Sequence, residues 1–375
     1  MIYLCLPFIF IILTYLYIYT KPKSNCYIFI IVLLQAMFFS LRYKVGTDWQ
    51  NYLDYFNKLD LYKDTFEYGY YLINKTAKIV GLNYWVISFT TSILSISTMY
   101  LFLRKKVPIL PLFFTLYFLL NMFNLLESVR SQIAFCIVLL SFHYYLNNRI
   151  ILSFVFSSIS ILFHQTMVII IPLLLFCKIN ITRRLYFIIL TIGSVLYFSN
   201  VSLFREILIE ASKYLFNGKL AYYLSTQENG LLTNAFSLTL VVKIILFSHI
   251  TLNKNKISRR IKQNQLKYFE FFYRIGCAYI FLYIFLIYEP ALVYRLTDML
   301  VVGYIATICY YIYSISGIYR FIYILTILIM FIYIYQSPFK DPYYQTYILN
   351  YTSFPELLID NEKENYNIHD FWKNK

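Results

Sequence analysis

The sequence is a succession of apolar runs, most of them close to bilayer-crossing length, separated by gaps that hold nearly all of the charge. A hydrocarbon core about 30 Å thick takes about 20 helical residues, and inside it only helices or closed barrels satisfy their own backbone groups. Runs at 2–19, 26–41, 82–103, 108–126, 129–146, 185–198, 231–252, 269–288, 294–315 and 319–335 read as spanning helices. The run 150–177 is long for one crossing and short for two, and Phe163-His164-Gln165-Thr166 interrupts its middle. It is expected to form a short pair or a re-entrant hairpin. The fold class is therefore all-α: a polytopic integral membrane protein of about 12 transmembrane segments, counting the hairpin as two.

Composition excludes a soluble globule, since 60% of the residues are hydrophobic, 14% are charged and the mean hydropathy is +0.61. A net charge of +15 would suggest nucleic acid in a soluble protein. Here the basic residues occupy alternate gaps: Lys21 and Lys23; Arg104, Lys105 and Lys106; Arg149; Lys178, Arg183 and Arg184; the cluster from Lys254 to Lys267; and Arg320. That is an orientation signal, and it makes those gaps cytoplasmic, with no nucleic acid among the partners. Among the acidic residues only Glu270 lies near that side. The parity holds only if 150–177 returns to the side it left, and both termini then lie outside. The run 2–19 lacks a basic leader and a small-residue cleavage site, so it reads as a retained helix. The six cysteines are scattered without ligand spacing, which predicts neither disulfides nor a metal site.

Domain organisation follows from the gaps. A single membrane domain covers 1–336, with external loops at 42–81 and 200–230, a cytoplasmic loop at 253–267 and an external tail at 337–375. Tyr52, Tyr55, Phe56 and Leu59, then Phe66, Tyr70 and Ile73, recur at helical spacing. The 42–81 loop is thus expected to form amphipathic helices lying on the membrane surface, and Leu203, Phe204, Ile207, Leu208 and Ala211 predict the same for 200–230.

Within this apolar background Leu125-Leu126-Glu127-Ser128-Val129-Arg130-Ser131-Gln132-Ile133-Ala134 stands out. A charge at a helix centre in a bilayer costs roughly 2.5–3.5 kcal/mol on insertion scales, so Arg130 must be paired or face water. Glu127, three residues earlier, would pair with it on one helix face. The alternative is that Arg130 faces a polar cavity and binds an anion. Arg42, Asp48, Glu67, Glu127, Arg130, His164, Glu289, Arg295 and Asp298 all fall at the outer ends of helices. Arginines converging there would suit a diphosphate, because guanidinium matches phosphate oxygens in bidentate fashion and stays charged when desolvated. His164 is a candidate general base whose competing reading is a packing histidine. Arg295 and Asp298 form another i, i+3 couple, which could equally be structural. The chain lacks a phosphate-binding glycine loop, a dinucleotide fingerprint and a D-x-D motif, which argues against a nucleotide-driven pump or a nucleotide-sugar transferase.

Arg42-Tyr43-Lys44-Val45-Gly46-Thr47-Asp48, followed by Tyr52 and Phe56, resembles the first external loop of EpsG/Wzy-type polysaccharide polymerases. The resemblance continues through Glu67-Tyr68-Gly69-Tyr70, Gly81-Leu82-Asn83, Val129-Arg130-Ser131-Gln132-Ile133-Ala134 and Leu162-Phe163-His164-Gln165-Thr166 to Tyr294-Arg295-Leu296 and Asp341-Pro342-Tyr343. The family commonly has Arg and Gln adjacent where this chain has Ser131 between them, which bears on the role of Gln132. The resemblance implies a GT-C-like helical fold and a glycosyltransferase that polymerises undecaprenyl-diphosphate-linked oligosaccharide on the outer face of the bacterial cytoplasmic membrane, for O-antigen, capsule or exopolysaccharide. It implies no cofactor and no metal. Its partners would be the lipid-linked glycan, membrane lipid, a chain-length regulator and a flippase. In this reading Arg42, Arg130 and Arg295 hold the diphosphate, and His164, Asp48 or Glu67 takes the acceptor proton. Glu127, Gln132 and Asp298 support them. The competing functions are a flippase or transporter of the same lipid-linked sugars, or an O-antigen ligase-like transferase.

Overall fold

The computed structural model describes residues 2–20, 25–46, 48–63, 65–199, 238–286, 290–336, 339 and 352–353. They form helices α1 (Ile2–Thr20), α2 (Cys26–Ser40), α3 (Trp49–Asn57), α4 (Tyr68–Ile79), α5 (Tyr84–Leu103), α6 (Leu110–Glu127), α7 (Val129–Leu146) and α8 (Ile150–Ile161). A 3₁₀ turn (Gln165–Ile169) leads into α9 (Ile170–Phe176), followed by α10 (Arg183–Phe198), α11 (Leu238–Leu252), α12 (Lys254–Arg260), α13 (Gln263–Phe285), α14 (Pro290–Thr297), α15 (Val301–Ser314) and α16 (Gly317–Gln336). Among the described residues five helices are long and apolar enough to cross a membrane, namely α5, α6, α7, α13 and α16, and several shorter apolar helices accompany them. The chain is a multi-pass membrane protein. The expected 200–230 helices, Glu289 and most of the 337–375 tail lie outside the described residues.

The bundle is built around α6. Its apolar window is 78% buried where that of α16 is 28%, so α6 is the axis and α16 faces lipid. Helices α1, α2, α15 and α16 all pack against α6, while α13 packs along α15 and α5 along both α2 and α7. Lipid tails are as apolar as leucine, so helices here associate through close packing and interhelical hydrogen bonds. The seam of α7 with α8 is of that kind: Ser141 Oγ lies 2.8 Å from Ser157 Oγ and 3.1 Å from Ser153 Oγ.

The 150–177 run forms the expected hairpin, with both feet at the basic end of the bundle. The last turns of α7 before it pack Phe142 and Tyr145 on Phe271 of α13. After it, the Cys177 carbonyl accepts from Arg274 Nη1 at 2.6 Å and the Ile181 carbonyl from Lys254 Nζ at 3.1 Å, with Glu270 Oε2 bound to Lys254 at 2.9 Å. The 12 residues of α8 rise about 18 Å, well short of a full crossing, and the turn at its far end meets residues of the 42–81 loop.

That loop folds differently from the sequence expectation. Both amphipathic helices form, as α3 and α4, but their apolar faces do not lie on lipid. Tyr52, Tyr55, Phe56, Leu59 and Tyr70 bury against one another and against Tyr84, Ile87 and Val129, forming a second, aromatic core on the end of the bundle. Two facing amphipathic helices bury each other's aromatics more completely than a membrane surface can.

The loop is fastened to the end of α6. Arg42 is 5% exposed, and its Nη1 lies 2.9 Å from the Phe39 carbonyl, 3.0 Å from that of Leu125 and 3.2 Å from Ser92 Oγ. The Leu125 carbonyl also accepts from Gln132 Nε2, and Ser92 Oγ lies 3.2 Å from Gln132 Oε1. The last carbonyls of a helix have no intrahelical partner, and the C-terminal dipole attracts a cation, so Arg42 and Gln132 complete the end of α6. Arg42 is therefore engaged inside the fold, at the end of α6. Gly46 takes φ +97°, and a Cβ there would stand 2.9 Å from the Leu126 carbonyl. Close by, Arg42–Tyr43 pairs antiparallel with Thr352–Ser353, a two-residue ladder that apolar periodicity gives no hint of.

Two i, i+3 pairings also change. The chain turns at Ser128, extended at φ −109° and ψ 95°, so Glu127 ends α6 while Arg130 begins α7. The two cannot share one helix face, and Arg130 takes Glu67 as its carboxylate. The expected single helix over 294–315 breaks between Thr297 and Val301, and Asp298 in the break accepts from Asn124 Nδ2 of α6 at 3.0 Å.

Replacing Arg42 by Met should lower the stability of the detergent-solubilised protein by about 2 kcal/mol, the size of hydrogen bonds made by a charged donor to buried acceptors. Gly46→Ala should act in the same direction through its left-handed backbone and the Leu126 carbonyl. Thermal unfolding followed by size-exclusion chromatography reads both as a lower apparent Tm.

Candidate functional site

Arg130 occupies the first turn of α7, where the helix dipole makes a cation unwelcome and an anion welcome. Ser128 caps that turn, its Oγ accepting from Ser131 N at 3.4 Å. The compensating charge comes from the external loop: Glu67 Oε2 lies 2.5 Å from Arg130 Nη1. The guanidinium stacks 4.2 Å from the Phe66 ring, and its Nε lies 3.4 Å from Tyr52 Oη. These contacts use one face of the fork. Arg130 Nη2 makes no hydrogen bond among the described residues, and the side chain keeps 16% of its exposure. The arginine is thus paired and stacked, yet still presents donors to a ligand.

Glu67 has a second set of partners. Its Oε1 accepts from Gln165 N at 3.2 Å and lies 3.6 Å from His164 Nδ1. One carboxylate therefore joins α7, the 42–81 loop and the turn of the hairpin. Gly69 makes this approach close: its N–H donates to the Leu162 carbonyl at 2.7 Å, and a Cβ would stand 2.8 Å from that oxygen and 2.9 Å from the Phe163 ring. Burial pushes the Glu67 carboxyl up, but the neighbouring His164 imidazole and the charge of Arg130 outweigh it, and the net shift is down to about 2. A carboxylate held that acidic is a poor proton acceptor and a good orienting partner for an imidazole.

The remaining candidates divide. Arg295 is exposed on α14, which packs against the 3₁₀ turn, and its charge acts on His164. Asp48 stands at the start of α3, one turn before Tyr52, and its charge is felt at Tyr52 and Tyr84. Asp298 turns toward Asn124, and Arg42 and Gln132 close the end of α6 behind the site. Arg130, Glu67 and His164 are therefore the residues brought together, with Arg295 near enough for its charge to act on His164. Tyr52 and Phe66 carry the guanidinium, a role the sequence left hidden because both read as members of an amphipathic stripe. The one signal available was Phe66 standing next to Glu67. No group of three or more metal-ligating side chains occurs among the described residues. The cluster can bind an anion at Arg130 and offers one oriented imidazole beside it.

The model of the EpsG family matches residues 25–353. No curated protein and no solved structure matches the chain.

Because the Glu67 carboxyl is depressed, the stability it contributes is complete above its unfolded pKa, about 4.3, and is lost as pH falls through about 2. Glu67→Gln should therefore lower stability by about 3 kcal/mol, by leaving Arg130 unpaired. The gap to the unmodified protein should stay constant from about pH 5 to about pH 8 and narrow only below about pH 4. Tm measured for both proteins across that range checks it.

Proposed function

The chain belongs to the EpsG family, and on that premise we propose that it is a polysaccharide polymerase, a membrane glycosyltransferase using lipid-diphosphate donors. The observation that supports this most directly is Arg130: a partly buried guanidinium, paired to Glu67 on one side and open at Nη2, at a helix N-terminus beside an imidazole. Such a site is built for an anion whose charge grows during reaction.

In the proposed step a hydroxyl oxygen of an incoming lipid-linked repeat unit attacks the anomeric carbon of the growing glycan. The bond from that carbon to the diphosphate oxygen breaks as the new glycosidic bond forms. The hydroxyl proton passes to His164, oriented by Glu67, and the bonding electrons leave with undecaprenyl diphosphate. Arg130 receives the developing negative charge, with Arg295 as the second cation, and an interaction that strengthens toward the transition state is the kind that raises rate. Of the three candidate bases, His164 is favoured because Glu67 is committed to Arg130 as a strong acid's anion and the imidazole stands beside that pair. Neither metal nor cofactor takes part. The basic residues of the alternate gaps support an orientation with this end of the bundle outside the cytoplasmic membrane, where a flippase would deliver the substrate and a chain-length regulator would act.

Arg130→Ala should leave the protein in the membrane but reduce the glycan it makes from a ladder of lengths to single repeat units, with transfer slowed about 100- to 1000-fold. Electrophoresis of the glycan from cells carrying the variant, with immunoblotting of the protein, provides the readout, and a normal ladder would overturn the assignment. His164→Gln should remove the acidic limb of the pH profile for transfer between purified lipid-linked units, because Glu67 does not titrate in that range.

A further inference from the structure

Glu67 serves its two side-chain neighbours unequally. Its Oε2 lies 2.5 Å from Arg130 Nη1, while its Oε1 stands 3.6 Å from His164 Nδ1. A nitrogen and an oxygen share a hydrogen bond at about 2.7–3.2 Å, so the imidazole is about half an ångström short of the carboxylate that orients it. Oε1 accepts from the backbone, from Gln165 N at 3.2 Å. In this state the carboxylate is spent mainly on the arginine, and the imidazole is loosely held.

The surroundings leave only one part free to close that gap. Two residues beyond Glu67, Gly69 N donates to the carbonyl of Leu162, two residues before His164, at 2.7 Å, and a Cβ on Gly69 would stand 2.8 Å from that oxygen. The two backbones are therefore tied at contact distance and cannot slide closer. On the other side the guanidinium is clamped, with the Phe66 ring at 4.2 Å and Tyr52 Oη at 3.4 Å from Nε. Phe66 is itself held edge-on against Tyr55 at 4.6 Å. Arg130 does not follow if the carboxylate turns, so rotation of the Glu67 side chain alone decides which neighbour it serves.

An anion on the open side of Arg130 changes that choice. It gives the guanidinium a second counter-charge, which loosens its hold on Oε2, and it repels Glu67 across the same group. Both effects are screened far less in a partly buried site than in water. Both drive the carboxylate toward the imidazole.

We propose that Glu67 is a shared carboxylate through which a diphosphate seated on Arg130 completes the hydrogen bond to His164 Nδ1, so that the imidazole becomes a fully oriented base only with the donor in place. The inference rests on the polymerase reading, in which Arg130 receives the donor diphosphate and His164 takes the acceptor proton. Glu67 is a positioning residue, since it acts through the other two. Once Nδ1–H is bound to the carboxylate, the lone pair is confined to Nε2, the nitrogen left to take the hydroxyl proton. When undecaprenyl diphosphate departs, Glu67 returns to Arg130 and His164 gives its proton to solvent. Base and leaving group are thereby kept in step, and productive binding is ordered with the donor first.

The test uses full-length protein with isotope-labelled histidine in phosphatidylcholine liposomes, and inorganic pyrophosphate as the probe. Solid-state NMR reads the Nδ1–H proton of His164, identified by its loss in His164→Gln, and calorimetric titration reads the affinity. Saturating pyrophosphate should move that proton downfield, as a shortened hydrogen bond to a carboxylate does. Arg130→Gln should lose both the binding and the shift. Glu67→Gln should show no shift and bind pyrophosphate about 10- to 100-fold more tightly, the size of one charge-assisted hydrogen bond no longer competed for. The wild-type arm stands without either variant should one fail to fold.

Pyrophosphate bound to wild type with the His164 proton unmoved would overturn the coupling and leave the Arg130 reading intact. So would a proton already downfield without pyrophosphate. An equal shift in Glu67→Gln would mean that the anion acts on the imidazole directly, and an affinity there no tighter than wild type would mean that no carboxylate competes; either overturns the proposal. Absence of binding in wild type, or binding unchanged in Arg130→Gln, would instead overturn the Arg130 reading, and the coupling with it.

Discussion

The ion pair between Glu67 and Arg130 is the interaction on which this end of the bundle depends. Neither charge is tolerable there alone: Arg130 faces the positive end of its own helix dipole, and Glu67 is 8% exposed among aromatics. Each makes the other possible, and the pair is held to a third element because Glu67 also reaches Gln165 N and His164. A surface ion pair of the same length would contribute little, since water and salt would screen it. Here burial makes breaking the pair costly, so the 42–81 loop, α7 and the hairpin are locked into one arrangement.

That arrangement uses a recurrent difficulty of membrane helices. Every helix that stops near the bilayer leaves carbonyls or N–H groups without partners, and hydrocarbon offers none. The α6–α7 corner solves this on both sides of Ser128. Arg42 and Gln132 close the carbonyl end of α6, and Ser128 caps the N–H end of α7. Two of the arginines that the sequence presents as equivalents thereby take opposite roles. Arg42 satisfies backbone and sits behind the site, whereas Arg130 satisfies a carboxylate and keeps donors turned outward. A buried charge near a helix end is consequently ambiguous until its partners are known.

Much of the fold was legible in order along the chain. The break at Ser128, the hairpin over 150–177 and the amphipathic helices in the 42–81 loop all follow from apolar run length, period and charge parity. What failed was partner choice over short spacings. The i, i+3 rule linked Glu127 to Arg130 and Arg295 to Asp298, and it assumes a continuous helix, which Ser128 and the turn after Thr297 deny. The surface placement of α3 and α4 failed for a related reason. An amphipathic face reveals that something apolar must cover it, without saying whether lipid or another helix does so.

The sequence alone determined that this chain crosses a membrane many times, where its apolar runs break, and which polar residues gather at the ends of helices. Those properties come from local hydropathy and charge, each of which acts on a stretch of chain independently of what it touches. Only the tertiary structure decided that Glu67, not Glu127, balances Arg130, and that Arg42 closes a helix end. Pairing of buried charges depends on distances between segments far apart in the chain. Those distances exist only once the helices have packed.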